Sequence, residues 1–92
     1  MGSISQSFRL KILDQCLRNT SRRYSIGDLI EECKKRFIER KGTEFGVSRK
    51  TIYNDLKHIE ERYDIEFEKT KDGKHVYWSY SDKNFSIDNE PL

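Results

Sequence analysis

Residues 47–80 read VSRKTIYNDLKHIEERYDIEFEKTKDGKHVYWSY, and within them the spacing of large apolar side chains changes once. Up to Tyr63 they fall at steps of four, three and four (Ile52, Leu56, Ile59, Tyr63), which puts them on one face of an α-helix. After Asp64 the interval becomes two, in Ile65-Glu66-Phe67-Glu68-Lys69-Thr70 and again in Lys74-His75-Val76-Tyr77-Trp78-Ser79-Tyr80. Between the two alternating runs stands Asp72-Gly73, a strong hairpin signal. A two-residue loop there pairs Lys69 with Val76, Phe67 with Trp78 and Ile65 with Tyr80. That register places Ile65, Phe67, Val76, Trp78 and Tyr80 on one face, and Glu66, Glu68, Tyr77 and Ser79 on the other. The stretch therefore predicts a helix over 49–62 followed by an antiparallel hairpin over 65–80.

Working back towards the N-terminus, Ser48 stands where a helix N-cap is expected, after a turn formed by Glu44-Phe45-Gly46-Val47. A second helix begins at another cap, Ser25, with Asp28 completing a variant of the capping box. Ile26, Leu29, Ile30, Cys33, Phe37 and Ile38 give it an apolar stripe to about Arg40, before Lys41-Gly42-Thr43 breaks it. A first helix over 8–19 carries Leu10, Ile12, Leu13, Cys16 and Leu17 towards the core. Arg9, Lys11, Asp14, Gln15 and Arg18 fall mostly on its other faces. Beyond Tyr80, residues 81–92 are polar and acidic, with Phe85, Ile87 and Leu92 as isolated apolar anchors. They read as an extended tail or linker, leaving 1–80 as the domain.

The chain has 92 residues, 34% hydrophobic and 37% charged, so one domain with a small core is expected, its bulk supplied by five Phe, five Tyr and one Trp. The net charge of +2 conceals an asymmetry. Residues 1–57 hold 13 Lys/Arg against 7 Asp/Glu, and residues 58–92 hold 5 against 9. A basic N-terminal part attracts phosphate, although a solvated charged surface accounts for it as well. Cys16 and Cys33 lack the spacing of a metal site and read as small buried apolar residues; neither a metal nor another cofactor is expected. With no membrane-length apolar run and no signal-peptide pattern, a cytoplasmic protein is expected.

The order helix, helix, turn, helix, hairpin predicts an α+β domain, the winged helix-turn-helix, in which the third helix enters the DNA major groove and the hairpin flanks it. The candidate DNA-binding residues are Ser48, Arg49, Lys50, Thr51, Tyr53, Asn54 and Lys57 on that helix, with Lys71 and Lys74 on the wing. A helix N-terminus offers free N–H groups to phosphate, Arg matches the paired acceptors of guanine, and Asn can pair with adenine. Arg49 and Lys50 oppose the helix dipole in the first turn, which argues against a purely stabilising role. Ser48 is a cap first and a phosphate contact second, and Tyr53 serves equally as a packing group. Lys69, Lys71, Lys74 and His75 serve as phosphate contacts or as solubilising charge.

Val47-Ser48-Arg49-Lys50-Thr51-Ile52-Tyr53-Asn54-Asp55-Leu56 resembles the recognition-helix segment of WYL-domain and related deoR-like transcription regulators, most nearly the Bacteroidetes type. The likeness extends over Arg9–Asn19, over Arg22-Arg23-Tyr24-Ser25, over Asp28-Leu29-Ile30-Glu31 and over the closing Phe85–Leu92. The resemblance implies operator-DNA binding by this domain, with a C-terminal effector domain in the full-length regulator. One departure is the roughly seven-residue connection between the second and third helices, longer than the usual three to four.

Three other readings compete. An enzyme lacks support: there is no nucleophile–base pattern and no phosphate-binding glycine loop, and Asp55 and Glu60 read as surface charges. A winged helix that binds protein and ignores duplex DNA is the main alternative. RNA binding fits less well, because the hairpin aromatics alternate towards the core. With every apolar stripe consumed in one core, the isolated 92-residue chain is expected to be a monomer.

Overall fold

The computed structural model describes residues 5–41 and 46–87. Three helices, α1 (Gln6–Arg18), α2 (Ile26–Lys41) and α3 (Arg49–Tyr63), precede an antiparallel pair, β1 (Phe67–Asp72) and β2 (His75–Tyr80). This is the winged helix architecture. The first half of the expected turn at Glu44–Val47, Glu44 and Phe45, lies outside the described residues.

Each helix starts on a serine. Ser5 Oγ accepts from Phe8 N–H at 3.3 Å, so α1 begins earlier than its apolar stripe indicates. At α2 the capping box is reciprocal: Ser25 Oγ accepts from Asp28 N–H at 3.2 Å, and Ser25 N–H donates to Asp28 Oδ2 at 3.0 Å. Ser48 Oγ accepts from Thr51 N–H at 3.1 Å, fixing the start of α3. At the other end Asp64 turns left-handed (φ 52°), and Ile65 N–H donates to Glu60 O at 3.2 Å, the six-to-one bond of a Schellman ending.

That closure changes the hairpin. Ile65 is used in ending α3, so β1 begins at Phe67, which pairs with Tyr80; Lys69 pairs with Trp78, Lys71 with Val76 and Asp72 with His75. The register is displaced by two residues from the one the alternation predicts, and the loop is Gly73-Lys74, with Gly73 at φ 66°. A shift of two keeps every side chain on its expected face, which is why alternation alone could not distinguish the registers. Tyr24 adds a third, one-residue rung: it bridges Trp78, whose N–H donates to Tyr24 O at 2.8 Å.

The core joins all of these elements. Ile12, Leu13, Cys16 and Leu17 of α1 meet Ile26, Leu29 and Cys33 of α2 and Ile52, Leu56 and Ile59 of α3, with Tyr24 and Tyr80 closing it. Both cysteines are buried free thiols, as their apolar neighbours lead one to expect. Two acidic residues depart from expectation. Asp14 and Asp55, read as solvent-facing, are 2% and 1% exposed. Each is retained in the core because its oxygens are saturated with hydrogen-bond donors. Asp14 accepts from Tyr80 Oη, Ser86 Oγ and Ile87 N–H at 2.7, 2.9 and 3.1 Å. The segment after β2 therefore lies back on α1, and Phe85 packs edge-on against Tyr80 and Tyr63.

Candidate nucleic-acid interface

Helical geometry divides α3 into two sides. Ile52, Asp55, Leu56 and Ile59 are buried, whereas Arg49, Lys50, Tyr53, Asn54 and Lys57 are exposed within an arc of about 140° facing away from the core. Hydrophobic burial of one side thus orients the other, and of the exposed arc Tyr53 also packs against the wing. No acidic residue lies in the first turn of α3, so Arg49 and Lys50 meet no carboxylate there.

The nine expected residues separate into groups. Arg49, Tyr53 and Lys74 come together around one open hollow of about 440 Å³, where the starts of α2 and α3 meet the wing. Lys50, Asn54 and Lys57 lie along the same exposed face of α3 without lining the hollow. Ser48 and Thr51 are joined by their hydroxyls at 2.9 Å, so both are occupied in the cap, and Thr51 is half-buried. Lys71 is exposed on β1 opposite Val76 and outside the hollow. Tyr53 combines its two expected uses: it remains 44% exposed while its ring packs edge-on to Trp78, centroids 6.2 Å apart.

The hollow also contains residues that sequence reasoning did not select. Ser25 and Gly27 contribute the start of α2 and Val76 contributes the wing, beside His75, which the sequence already marks as a phosphate contact or solubilising charge. The α2 contribution was hidden because its cap is separated from α3 by more than twenty positions in the chain. Only the fold brings two helix N-termini to one side. The start of α3 has no acidic residue in its first turn, whereas the start of α2 already holds the Asp28 carboxylate in its capping box.

The wing is stiffened by aromatic and cationic stacking. Trp78 packs edge-on against Phe67 at 5.6 Å, and Lys69 Nζ lies 4.6 Å from the Trp78 ring centroid. On the opposite face Arg23 covers Tyr77 at 4.6 Å and approaches Asp72 at 3.5 Å, which ties the loop before α2 to the wing. Lys69 is thereby assigned a packing partner, whereas Lys74 and His75 stay exposed at the tip.

Among the described residues no group of His, Cys, Asp or Glu is placed to hold a metal ion, and no helix is long and apolar enough to cross a membrane. No curated protein and no solved structure matches the chain significantly. A family model for the N-terminal winged helix domain of WYL domain-containing proteins matches residues 5–64, from the cap of α1 to the left-handed residue that ends α3. With three helices, a paired wing and this match over most of its length, the chain belongs to the family of WYL-protein N-terminal winged helix domains.

Proposed function

We propose that this domain reads double-stranded DNA for a transcription regulator, with α3 in the major groove and the wing on the sugar–phosphate backbone. The observation that carries this reading is the exposed arc of Arg49, Lys50, Tyr53, Asn54 and Lys57, held outwards by a buried opposite face and bordered by Lys74. Arg49 and Asn54 are of the types that read guanine and adenine edges. Lys50, Lys57, Lys71 and Lys74 contact phosphate, and Ser48 and Thr51 set the helix end that faces it. The family match supports a regulatory role in the cytoplasm, with an effector domain C-terminal to this one in the complete regulator.

The test is a duplex titration at two salt concentrations, after selection of bound sequences from a random library. Contact with about five phosphates gives a log–log slope of affinity against salt near −4 to −5. The 92-residue chain alone behaves as a monomer that binds one half-site weakly, since the gain from linking two heads is missing. A salt-independent result, or no duplex binding, leaves the protein-interaction alternative.

A further inference from the structure

The side of α3 that faces the core contains one polar group, Asp55, and the fold supplies a partner for it from α1. Arg9 Nε donates to Asp55 Oδ2 at 2.5 Å and Arg9 Nη2 donates to Oδ1 at 3.0 Å, a two-pronged pair; Gln6 Nε2 adds a third bond at 3.3 Å. Asp55 is 1% exposed and the Arg9 side chain 13% exposed, so this is a buried pair joining helices 46 positions apart.

Burying an ion pair is a poor way to gain stability, because desolvation consumes most of the attraction and apolar residues of like volume often do as well. The pair's distinctive property is direction. Contacts made by Ile52, Leu56 and Ile59 are non-directional and tolerate a small roll of the helix. A planar guanidinium bonded through two nitrogens to two carboxylate oxygens does not. Asp55 adjoins Asn54 and lies about 9 Å along the axis from Arg49. A roll of about 10° would displace a side-chain tip ~9 Å from the axis by about 1.5 Å, several times the tolerance of a hydrogen bond.

We infer that Arg9 and Asp55 are positioning residues for base recognition: the pair fixes the azimuth of α3 on α1, and through it the aim of Arg49 and Asn54. The inference rests on the DNA-reading role proposed above. It assigns a part in sequence discrimination to a residue of α1 that faces no groove.

Two variants of the 92-residue chain test it, each titrated against the duplex selected by the wild type and a scrambled duplex. In Arg9→Met/Asp55→Leu the pair is replaced by apolar volume; in Arg9→Lys the charge remains and the fork is lost. The ratio of selected to scrambled affinity falls about tenfold in both, the scale of one lost two-pronged base contact. Affinity for the scrambled duplex and the salt slope stay within about twofold, because the phosphate-binding lysines are untouched. A merely structural role would lower both affinities together, through the folded fraction. Should the double variant fail to fold, Arg9→Lys decides by the same ratio. Folded variants that discriminate as well as the wild type overturn the inference and leave the DNA reading standing. A wild type that binds no duplex, or binds all alike, overturns the DNA reading and this inference with it.

Discussion

The hydroxyl of Tyr80 donates to Oδ1 of Asp14 at 2.7 Å, joining the last residue of the wing to the middle of α1 across 66 positions. Both groups are buried, and the same carboxylate accepts from Ser86 and Ile87 beyond the wing. Burial and the bond to Asp14 push the Tyr80 phenol well above its usual range, so the hydroxyl remains a donor. One carboxylate thus fastens the wing and the segment after it to the helical core. Tyr80→Phe is expected to cost about 1.5–3 kcal/mol, the worth of a hydrogen bond to a charged group. Asp14→Ala is expected to cost more, since it leaves several buried donors without an acceptor. Chemical denaturation of both variants and of the double mutant checks this. A double mutant no worse than Asp14→Ala alone locates the Tyr80 effect in this bond.

These buried acids also show where sequence reading ends. The helices, the serine caps of α2 and α3 and the hairpin were legible because each is specified locally, by a period or by a cap residue next to what it caps, whereas the Ser5 cap of α1 lies ahead of its apolar stripe. The buried partners of Asp14 and Asp55 were not. A charged residue on the edge of an apolar stripe looks like surface until a donor from elsewhere in the chain arrives, and Tyr80 and Arg9 give no sign of that in the sequence. The hairpin register differs by two residues because the turn is Gly73-Lys74, with Gly73 left-handed, and alternation cannot detect a shift of two. The exposed arc of α3 was legible as the complement of its buried stripe, whereas its approach to the start of α2 depends on tertiary packing.

Ser48 provides a local test of how α3 starts. Its hydroxyl accepts from Thr51 N–H and meets Thr51 Oγ1, and both residues are bound into the cap. Ser48→Ala is expected to destabilise the domain by about 1 kcal/mol, and Ser48→Asp to restore most of that loss. Thermal unfolding measures both. A fully stable alanine variant would show that water serves the freed N–H as well as the serine does.

The buried thiols set an alkaline limit. Burial pushes Cys16 up to about 11 and Cys33 up to about 12, from an ordinary value of 9.0. Below pH 9 both states hold their thiol protons and the shift contributes no pH dependence. Above it the unfolded chain loses protons that the folded chain retains, so folding stability falls until the folded thiols ionise as well. Denaturation midpoints are therefore expected to be flat from pH 7 to about 9 and to fall between about pH 9 and 12. Replacing Cys33 by Ala removes its part of that fall, and an unchanged slope in that variant would place the alkaline loss elsewhere.

Arg49 and Lys71 separate reading from anchoring. Arg49 lines the hollow from the first turn of α3 and is the base-reading residue of the proposed function, whereas Lys71 stands on β1 outside the hollow. Neither side chain is buried, so both alanine variants are expected to fold normally. Arg49→Ala should cost about 1–3 kcal/mol on the selected duplex and relax preference at one base pair. Lys71→Ala should weaken all duplexes alike and reduce the salt slope by about 1, and Lys74→Ala should do the same from the wing tip. Repeating the library selection with each variant distinguishes the two roles, because only a base contact changes which sequences are recovered. If the lysine variants recover altered sequences while Arg49→Ala recovers the wild-type set, the wing reads the bases and α3 serves as the anchor.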